Sequence, residues 1–267
     1  VQVEDGVARV TIELTTPACP LKGRIGADVR AALAKLPGFR DAVVEFTANT
    51  ARRAAVRGDL TPGIRNIIAV GSGKGGVGKS TTSLNLAVAL NEAGARVGLL
   101  DADIYGPNLP SMMGITAQPR VVDDKIIPVE RFGVRMISMG LLVPEGQPIV
   151  WRGPMLNNAL RQFLGDVAWG ELDYLIVDLP PGTGDVQISL VQLVQVTGAV
   201  IVTTPQTVSL MDARKALEMF HLTNTPVLGI VENMSYFLCP SWGERHEIFS
   251  HGGGEAAARE LGIPFLG

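Results

Sequence analysis

A glycine-rich loop that contains two lysines holds the residues best suited to chemistry in this sequence. Its residues are Gly73, Lys74, Gly75, Gly76, Val77, Gly78, Lys79, Ser80 and Thr81. The loop matches the pattern Gly-x-x-x-x-Gly-Lys-Ser, in which glycines let successive backbone N–H groups turn toward phosphate oxygens. We predict that the loop binds the phosphates of ATP, with Lys79 neutralising the β- and γ-phosphates and the Ser80 hydroxyl ligating Mg²⁺. The alternative is a chance glycine-rich turn, which an apolar strand before the loop and a helical pattern after it disfavour.

Three aspartates and a glycine follow two other apolar runs, and they could complete a site for phosphoryl transfer. We predict that Asp178 and Asp101 help to bind Mg²⁺, and that Asp103 orients the attacking water. The backbone N–H of Gly182 is expected to contact the γ-phosphate, which would make its loop respond to hydrolysis. The alternatives are that Asp178 only caps a turn and that Asp101 or Asp103 only caps a helix.

The elements that must position these groups alternate between strands and helices from Ile64 onward. Apolar runs predict strands at 67–70, 97–100, 174–177, 199–202 and 227–231, and helical patterns lie at 80–92 and 211–221, with a hairpin-like stretch at 125–137. This order predicts an α/β fold: a P-loop NTPase domain with a mostly parallel sheet. Because polar residues follow all five strands, we expect one ligand-binding edge at their carboxyl ends.

Residues 1–57 have a different pattern, which predicts a small α+β domain. Asp5-Gly6 indicates a hairpin turn, residues 10–14 alternate at strand period, and Ile25, Val29, Leu33 and Leu36 mark one face of a helix. The polar stretch 58–63 is the predicted linker to a P-loop domain at 64–267. Both ends of the chain fall close to predicted elements, so we expect the small domain to be incomplete and the C-terminus to be truncated.

Composition narrows the function classes. Apolar residues make up 46% of the 267 residues and charged residues 18%, which is typical of a globular protein. A net charge of −3 without a basic cluster argues against nucleic acid as a partner, and no apolar run is long enough to predict a membrane span. The two cysteines, Cys19 and Cys239, predict no disulfide framework, so a reducing, cytoplasmic location is expected.

The second lysine of the loop, Lys74, makes it resemble the deviant phosphate loop of the MinD/ParA superfamily. That superfamily also includes the nitrogenase iron protein and the Mrp/ApbC proteins. The resemblance implies a homodimer that encloses ATP, in which Lys74 of each subunit reaches the ATP of the other and assists hydrolysis. Without the resemblance, Lys74 could be a solvated loop lysine.

Further motifs are similar to those of the Mrp/ApbC family of iron–sulfur cluster carrier ATPases. They lie at 100–108 (LDADIYGPN), 151–155 (WRGPM), 178–185 (DLPPGTGD), 231–235 (VENMS) and 239–254. The similarity covers 64–267, and the opening unit, with TTPACPL at 15–21, resembles the iron–sulfur-assembly domain that often precedes that ATPase. It implies a slow ATP hydrolase that loads and transfers clusters by dimer switching, with scaffold or recipient apo-proteins as partners. It also implies that the Asn233 amide recognises adenine.

The sequence departs from this family at one position. Members carry Cys-x-x-Cys, so that a dimer supplies four thiolates to a bridging [4Fe–4S] cluster, whereas this chain has Cys239 and then Trp242. Either Cys19, His246, His251 or an external thiol supplies further ligands, or cluster binding is weakened or lost. Cys239 could also be a small buried hydrophobic residue.

Two other functions are compatible with the same loop. A MinD/ParA-like positioning or partition ATPase would bind no cluster, and it would need a membrane-binding helix or a basic DNA-binding face. A nucleotide-gated scaffold would bind ATP and hydrolyse it negligibly.

Overall fold

A small sheet with one helix forms the beginning of the chain. The structure is a computed structural model, and it describes residues 1–4, 6–52, 59–142 and 153–267. The first elements are β1 (Gln2–Glu4), β2 (Val7–Leu14), α1 (Lys22–Leu33) and β3 (Asp41–Ala48). β1 and β2 are antiparallel and β2 and β3 are parallel, so α1 connects two parallel strands.

The predicted turn and helix of this unit differ in detail from the structure. β1 turns into β2 at Gly6, whose φ of +79° suits glycine, while Asp5 lies outside the described residues. Helix α1 ends at Leu33, so Leu36, predicted on its apolar face, lies beyond it and is 57% exposed. Pro37 disfavours helical geometry at the residue before it, which explains the early end.

The rest of the described chain alternates strands and helices. Its elements are β4 (Ile64–Ser72), α2 (Lys79–Glu92), β5 (Val97–Asp101), α3 (Leu109–Met113), β6 (Arg120–Val122), β7 (Lys125–Ile127), β8 (Val129–Arg131), β9 (Val134–Ser138), α4 (Gly153–Gly165), β10 (Leu172–Asp178), α5 (Asp185–Leu193), β11 (Gly198–Thr203), α6 (Thr207–Leu222), β12 (Val227–Glu232), β13 (Phe237–Leu238), β14 (Arg245–His246) and α7 (Gly253–Leu261).

Within the described residues, seven strands form the main sheet, in the order β12-β11-β4-β10-β5-β9-β8. All neighbours are parallel except β8 and β9. The predicted α/β fold with a mostly parallel sheet is thereby confirmed. The hairpin-like stretch predicted at 125–137 contains the antiparallel pair β8 and β9, but β9 also pairs parallel with β5 and extends the sheet. Hydrophobic periodicity in the sequence indicates where a strand lies but not which distant strand it pairs with. The pairing of β9 with β5 was therefore not predicted.

Two layers of apolar side chains cover the sheet, one on each face. Residues of α4, α5, α6 and α7 belong to one cluster, and residues of α2 and α3 belong to the other. The central strands are therefore buried on both faces, which explains why they read as continuous apolar runs. Their carboxyl ends bring Ser72, Asp101, Asp178, Thr203 and Glu232 to one edge.

The small unit contacts the opposite edge of the main sheet. The Tyr174 hydroxyl donates to Thr16 Oγ1 (3.0 Å), and Asn66 Nδ2 donates to the carbonyl of Ala51 (3.0 Å). Both Tyr174 and Asn66 lie near the amino ends of their strands, away from the glycine-rich loop. The proposed boundaries at residues 57 and 63 stay a prediction, because 53–58 lie outside the described residues.

Among the helices that the structure describes, none is long and apolar enough to cross a membrane.

Candidate functional site

The glycine-rich loop connects β4 to α2 at the carboxyl edge of the sheet. Gly76 and Gly78 have φ of +79° and +89°, in the left-handed region that glycine adopts without strain. A Cβ on Gly73 would collide with the main chain of Asp212 in α6, so close helix packing also requires glycine there. Helix α2 begins at Lys79, and its first N–H groups therefore point into the loop with the positive end of the helix dipole.

A buried ion pair joins the loop to the end of β10. Lys79 Nζ lies 2.9 Å from Asp178 Oδ2, and both side chains are almost fully buried. The hydroxyls of Ser80 and Ser83 donate to the two oxygens of the same carboxylate, each at 2.6 Å. A lysine, a carboxylate and a hydroxyl thus meet at the mouth of the loop. Oxygen atoms in this arrangement suit a hard cation such as Mg²⁺.

Asp103 and Asp101 lie side by side, but they face different surroundings. Asp103 Oδ2 is 3.6 Å from Lys79 Nζ and lines the cleft above the loop. Asp101 is 1% exposed; its carboxylate accepts hydrogen bonds from Ser138 Oγ (2.9 Å) and from the backbone N–H of Asp103 (3.2 Å). Asp103 therefore faces the space above the loop, and Asp101 lies behind it. The roles predicted for both residues stay predictions.

Burial controls the protonation of these two carboxyls. Desolvation, with help from the nearby charge of Asp178, raises the pKa of Asp101 to about 7, against the lowering effect of the Ser138 hydrogen bond. Desolvation also raises the pKa of Asp103, while the charge of Lys79 opposes that rise. A divalent cation at this edge would favour the ionised forms of both groups.

A cleft of about 980 Å³ opens above the loop. Of the predicted site residues, its lining includes Lys74, Gly75, Gly76, Gly78, Lys79, Ser80, Thr81 and Asp103. The predicted residues outside the lining are Gly73, Val77, Asp101, Asp178, Gly182, Asn233 and Cys239. The volume is sufficient for a nucleotide, since ligand clefts typically measure ~300–1,000 Å³.

The loop after β10 is held away from the contact predicted for it. The N–H of Gly182 donates to the carbonyl of Ser72 (2.8 Å), so it must leave this partner before it can contact a γ-phosphate. The Gln187 amide nitrogen donates to the carbonyls of Pro180 (2.7 Å) and Gly182 (3.0 Å). Its Oε1 is buried and has no hydrogen-bond partner among the described residues. In this conformation Gln187 stabilises the loop.

Asn233 lies against the glycine-rich loop. Its Nδ2 donates to the carbonyl of Val77 (2.9 Å), and a Cβ on Gly78 would collide with the same nitrogen. The next residue, Met234, lines the cleft. The predicted contact of Asn233 with adenine stays a prediction, and in this structure the amide contacts the loop backbone.

Cys239 lies in the turn of the hairpin formed by β13 and β14. It is 8% exposed, its N–H donates to the carbonyl of Glu244, and its carbonyl accepts from the N–H of Gly243. Cys19 follows Thr16 and so belongs to the unit at the other edge of the main sheet. No group of three or more potential metal ligands occurs among the described residues. Because Cys19 lies in the unit at the opposite edge of the main sheet from Cys239, the alternative that both cysteines of one subunit bind the same cluster is disfavoured.

Several polar residues of this edge did not emerge from the sequence. Ser83 could have been found, because it lies one helical turn after Ser80 on the predicted helix. Ser138 could not, because β9 was not placed in the sheet. Glu232 ends β12, and its contacts with Gly252 and Gly254 could not be found from the sequence, because they depend on the distant start of α7. Of the 151–155 motif, residues 151–152 lie outside the described residues, and residues 153–155 begin helix α4.

Two protein families and two curated proteins that match this chain carry descriptions that refer to iron or to iron–sulfur clusters. A family model described as an NUBPL iron-transfer P-loop NTPase matches residues 63–267, and a model described as an iron–sulfur cluster assembly protein matches residues 1–46. An iron–sulfur cluster carrier protein of Deinococcus radiodurans is 58% identical over 271 residues, covering 100% of this chain and 75% of the relative. A protein of the same name from Synechocystis sp. is 52% identical over 274 residues, covering 100% and 78%.

Solved structures show the same fold. A nucleotide-binding protein from Archaeoglobus fulgidus, in complex with ADP, is 45% identical with a TM-score of 0.67, covering 76% of this chain and 80% of that one. The cell division ATPase MinD of Pyrococcus furiosus is 23% identical with a TM-score of 0.52, covering 75% and 81%. The second likeness shows the fold alone.

Proposed function

Because this chain belongs to the NUBPL iron-transfer P-loop NTPase family, we propose that it is a cytoplasmic, homodimeric ATPase that carries iron–sulfur clusters. ATP binding and slow hydrolysis would switch the dimer between loading a cluster and releasing it to apo-proteins. The observation that supports the ATPase most strongly is the buried group of Lys79, Asp178 and Ser80 at the loop mouth. Burying two charges is energetically costly, so a buried ion pair beside an open cleft is not expected in a turn that serves only a structural role.

We assign the binding of ATP and Mg²⁺ to the residues around this group. Backbone N–H groups of the loop and the first turn of α2 would hold the phosphates. Lys79 would exchange its contact with Asp178 for the β- and γ-phosphates, which frees the Asp178 carboxylate for the Mg²⁺ shell together with Ser80. Asp103 faces the cleft and would accept a hydrogen bond from the attacking water.

Lys74 is our candidate for a contribution across the dimer. It lines the cleft, and no ion pair joins it to an acidic residue in the described part of the chain. A second subunit facing the cleft would place its own Lys74 near the developing charge on the phosphates, as an arginine finger does. This assignment rests on the family resemblance and on the position of the lysine.

The cluster is the cargo of the proposed carrier, and Cys239 alone cannot bind it. A symmetric dimer supplies two Cys239 thiolates, which is half of an all-cysteine set. In the hairpin, the backbone N–H of Cys239 donates to the carbonyl of Glu244, so these two residues lie opposite each other. His246 comes two residues after Glu244. Because side chains alternate along a strand, Cys239 and His246 share a face. Such diagonal neighbours lie ~7–8 Å apart. His246 is therefore the better placed of the two histidines to assist.

One experiment tests the nucleotide site. Lys79→Ala is expected to weaken Mg-ATP binding by about 100-fold or more in titration calorimetry, since it removes a charge-assisted contact and leaves buried carboxylates unpaired. Lys125→Ala is the matched control, because Lys125 lies on β7 and contacts Gly165 and Asp166. Normal ATP binding by the Lys79 variant would show that the assigned site is wrong.

A second experiment tests the cargo. Iron and acid-labile sulfide are measured after anaerobic reconstitution of the wild type and of Cys239→Ser. We expect the wild type to retain both and the variant to retain neither. A wild type that hydrolyses ATP but remains free of iron would refute the carrier function and leave the ATPase standing.

The relatives favour the carrier over a positioning ATPase. A protein named as an iron–sulfur cluster carrier is 58% identical to this chain and covers all of it. The likeness to MinD, in contrast, is limited to the fold. ATP-dependent binding to liposomes or DNA would reverse this preference.

A further inference from the structure

The segment that carries Cys239 begins and ends close to the side chain of Glu232. It runs from Ser235 to Gly252 and contains β13 and β14. Between 236 and 251 all residues except Cys239 are exposed, so this segment has little apolar contact with the core. Its position must therefore depend on how its two ends are attached.

Glu232 attaches both ends. Its Oε1 accepts hydrogen bonds from the Ser235 hydroxyl (2.8 Å) and from the N–H of Gly252 (2.9 Å). Its Oε2 accepts from the N–H of Gly254 in the first turn of α7 (2.5 Å). The side chain is 1% exposed, and His251 Nδ1 lies 3.8 Å from Oε1. One buried carboxylate thus joins the start of the segment to its end.

This carboxylate stays ionised despite its burial. Desolvation would raise its pKa, but the hydrogen bonds from Gly254, Gly252 and Ser235 and the charge of His251 outweigh that effect, so the pKa of Glu232 is lowered. Charge-assisted hydrogen bonds of this kind are about twice as strong as neutral ones. The attachment is therefore a firm one.

The neighbouring residue contacts the phosphate loop. Asn233 donates to the Val77 carbonyl through its amide, and its own N–H donates to the carbonyl of Thr203 at the end of β11 (2.8 Å). Because its amide is in tight contact with Gly78, a shift of the loop backbone must displace Asn233. Of these two adjacent residues, Asn233 thus contacts the phosphate loop, and Glu232 contacts the Cys239 segment.

We propose that Glu232 is a positioning residue that transmits the state of the phosphate loop to the Cys239 hairpin. This inference rests on the proposed nucleotide site, because the signal is ATP binding at the loop. When nucleotide moves the loop, Asn233 and Glu232 shift together, and the hairpin opens around the buried thiol. Cys239 then becomes accessible for cargo.

The test measures how fast Cys239 reacts with a chromogenic disulfide reagent, in a Cys19→Ser background so that a single thiol reports. The rate is measured without nucleotide and with Mg-ATP, and Mg-ATP binding is measured separately by calorimetry. In the background protein we expect ATP to raise the rate by about fivefold or more, the lower end of typical coupling free energies.

Glu232→Gln removes the charge while keeping the shape. An amide offers one acceptor oxygen, so its NH₂ must face either the N–H of Gly252 or that of Gly254, and one donor loses its partner. We expect a fast rate without nucleotide and a ratio near one with ATP, at nearly unchanged ATP affinity, since Glu232 does not line the cleft. Glu247→Gln, on the exposed part of the same segment, should behave as the background protein does.

The outcomes separate the two ideas. A background protein that fails to bind Mg-ATP refutes the proposed function. One that binds ATP without a change in the thiol rate refutes the transmission only, and so does a Glu232→Gln protein with an unchanged rate ratio. Should that variant fail to fold, Ser235→Ala removes one of the three hydrogen bonds, and an intermediate ratio is expected; an unchanged ratio there would also overturn the proposal.

Discussion

Replacing Asp101 by Asn should stabilise the protein and impair its activity. Asp101 is buried behind the cleft, where desolvation and the charge of Asp178 raise its pKa from 3.8 to about 7. In the native state ionisation of this carboxyl is unfavourable, whereas in the unfolded chain it is solvated. Asparagine has the same shape and carries no charge, so it avoids the cost of ionisation while it loses any contribution to the metal.

The sign and size of the stability effect follow from the pKa. Because the native pKa is above the unfolded one, Asp101 lowers the free energy of unfolding as pH rises from 3.8 toward 7, and the loss is complete above that value. One pKa unit corresponds to ~1.4 kcal/mol. The advantage of Asp101→Asn should therefore be about 3 kcal/mol larger at pH 8 than at pH 5, as an upper limit.

Urea unfolding in the presence of EDTA measures this difference. Comparing variant with wild type at each pH cancels the other carboxylates, and comparing the two pH values cancels hydrogen-bond changes that do not depend on pH. Asp166→Asn is the control, since that side chain is 55% exposed and its effect should be the same at both pH values. Equal stability differences at pH 5 and pH 8 for Asp101→Asn would refute the reasoning. Loss of Mg-dependent hydrolysis by the variant completes the prediction.

Three further predictions concern other parts of the site. Lys74→Ala should lower the rate of ATP hydrolysis by about 10³-fold, as loss of an arginine finger does, with little change in ATP affinity measured by calorimetry. Gly73→Ala should destabilise the protein by ~1–3 kcal/mol in urea unfolding because its Cβ meets the backbone of helix α6, whereas Gly23→Ala has open space and should not. His246→Ala should reduce iron retained after reconstitution more than His251→Ala does; equal retention would exclude His246 as a ligand.

The glycine-rich loop shows how a local motif makes function predictable. Its glycines, Lys79 and Ser80 lie within one short stretch of sequence, and the strand before the loop and the helix after it set the loop's conformation. The five central strands were recognisable because burial on both faces leaves an uninterrupted apolar run. Family membership was recognisable for the same reason, since the motifs that carry it are continuous in sequence.

Other features depended on which strands are neighbours. Ser138 reaches Asp101 only because β9 lies beside β5, and the N–H of Gly182 finds Ser72 only because β10 lies beside β4. Hydrophobic periodicity indicates that a strand is buried, but it contains no information about its neighbours. These contacts decide which groups are free to meet a nucleotide and which must first be released.

The sequence by itself therefore predicted the kind of chemistry from a P-loop pattern, acidic strand ends and a single cysteine in place of a pair. Only the tertiary structure decided how these parts communicate, because Glu232 meets Gly252 and Gly254, and Asn233 meets Val77, through contacts between residues far apart in the chain. It also placed Cys19 and Cys239 at opposite edges of the sheet. Local residue types determine what a group can do, and packing between distant segments determines what it can reach.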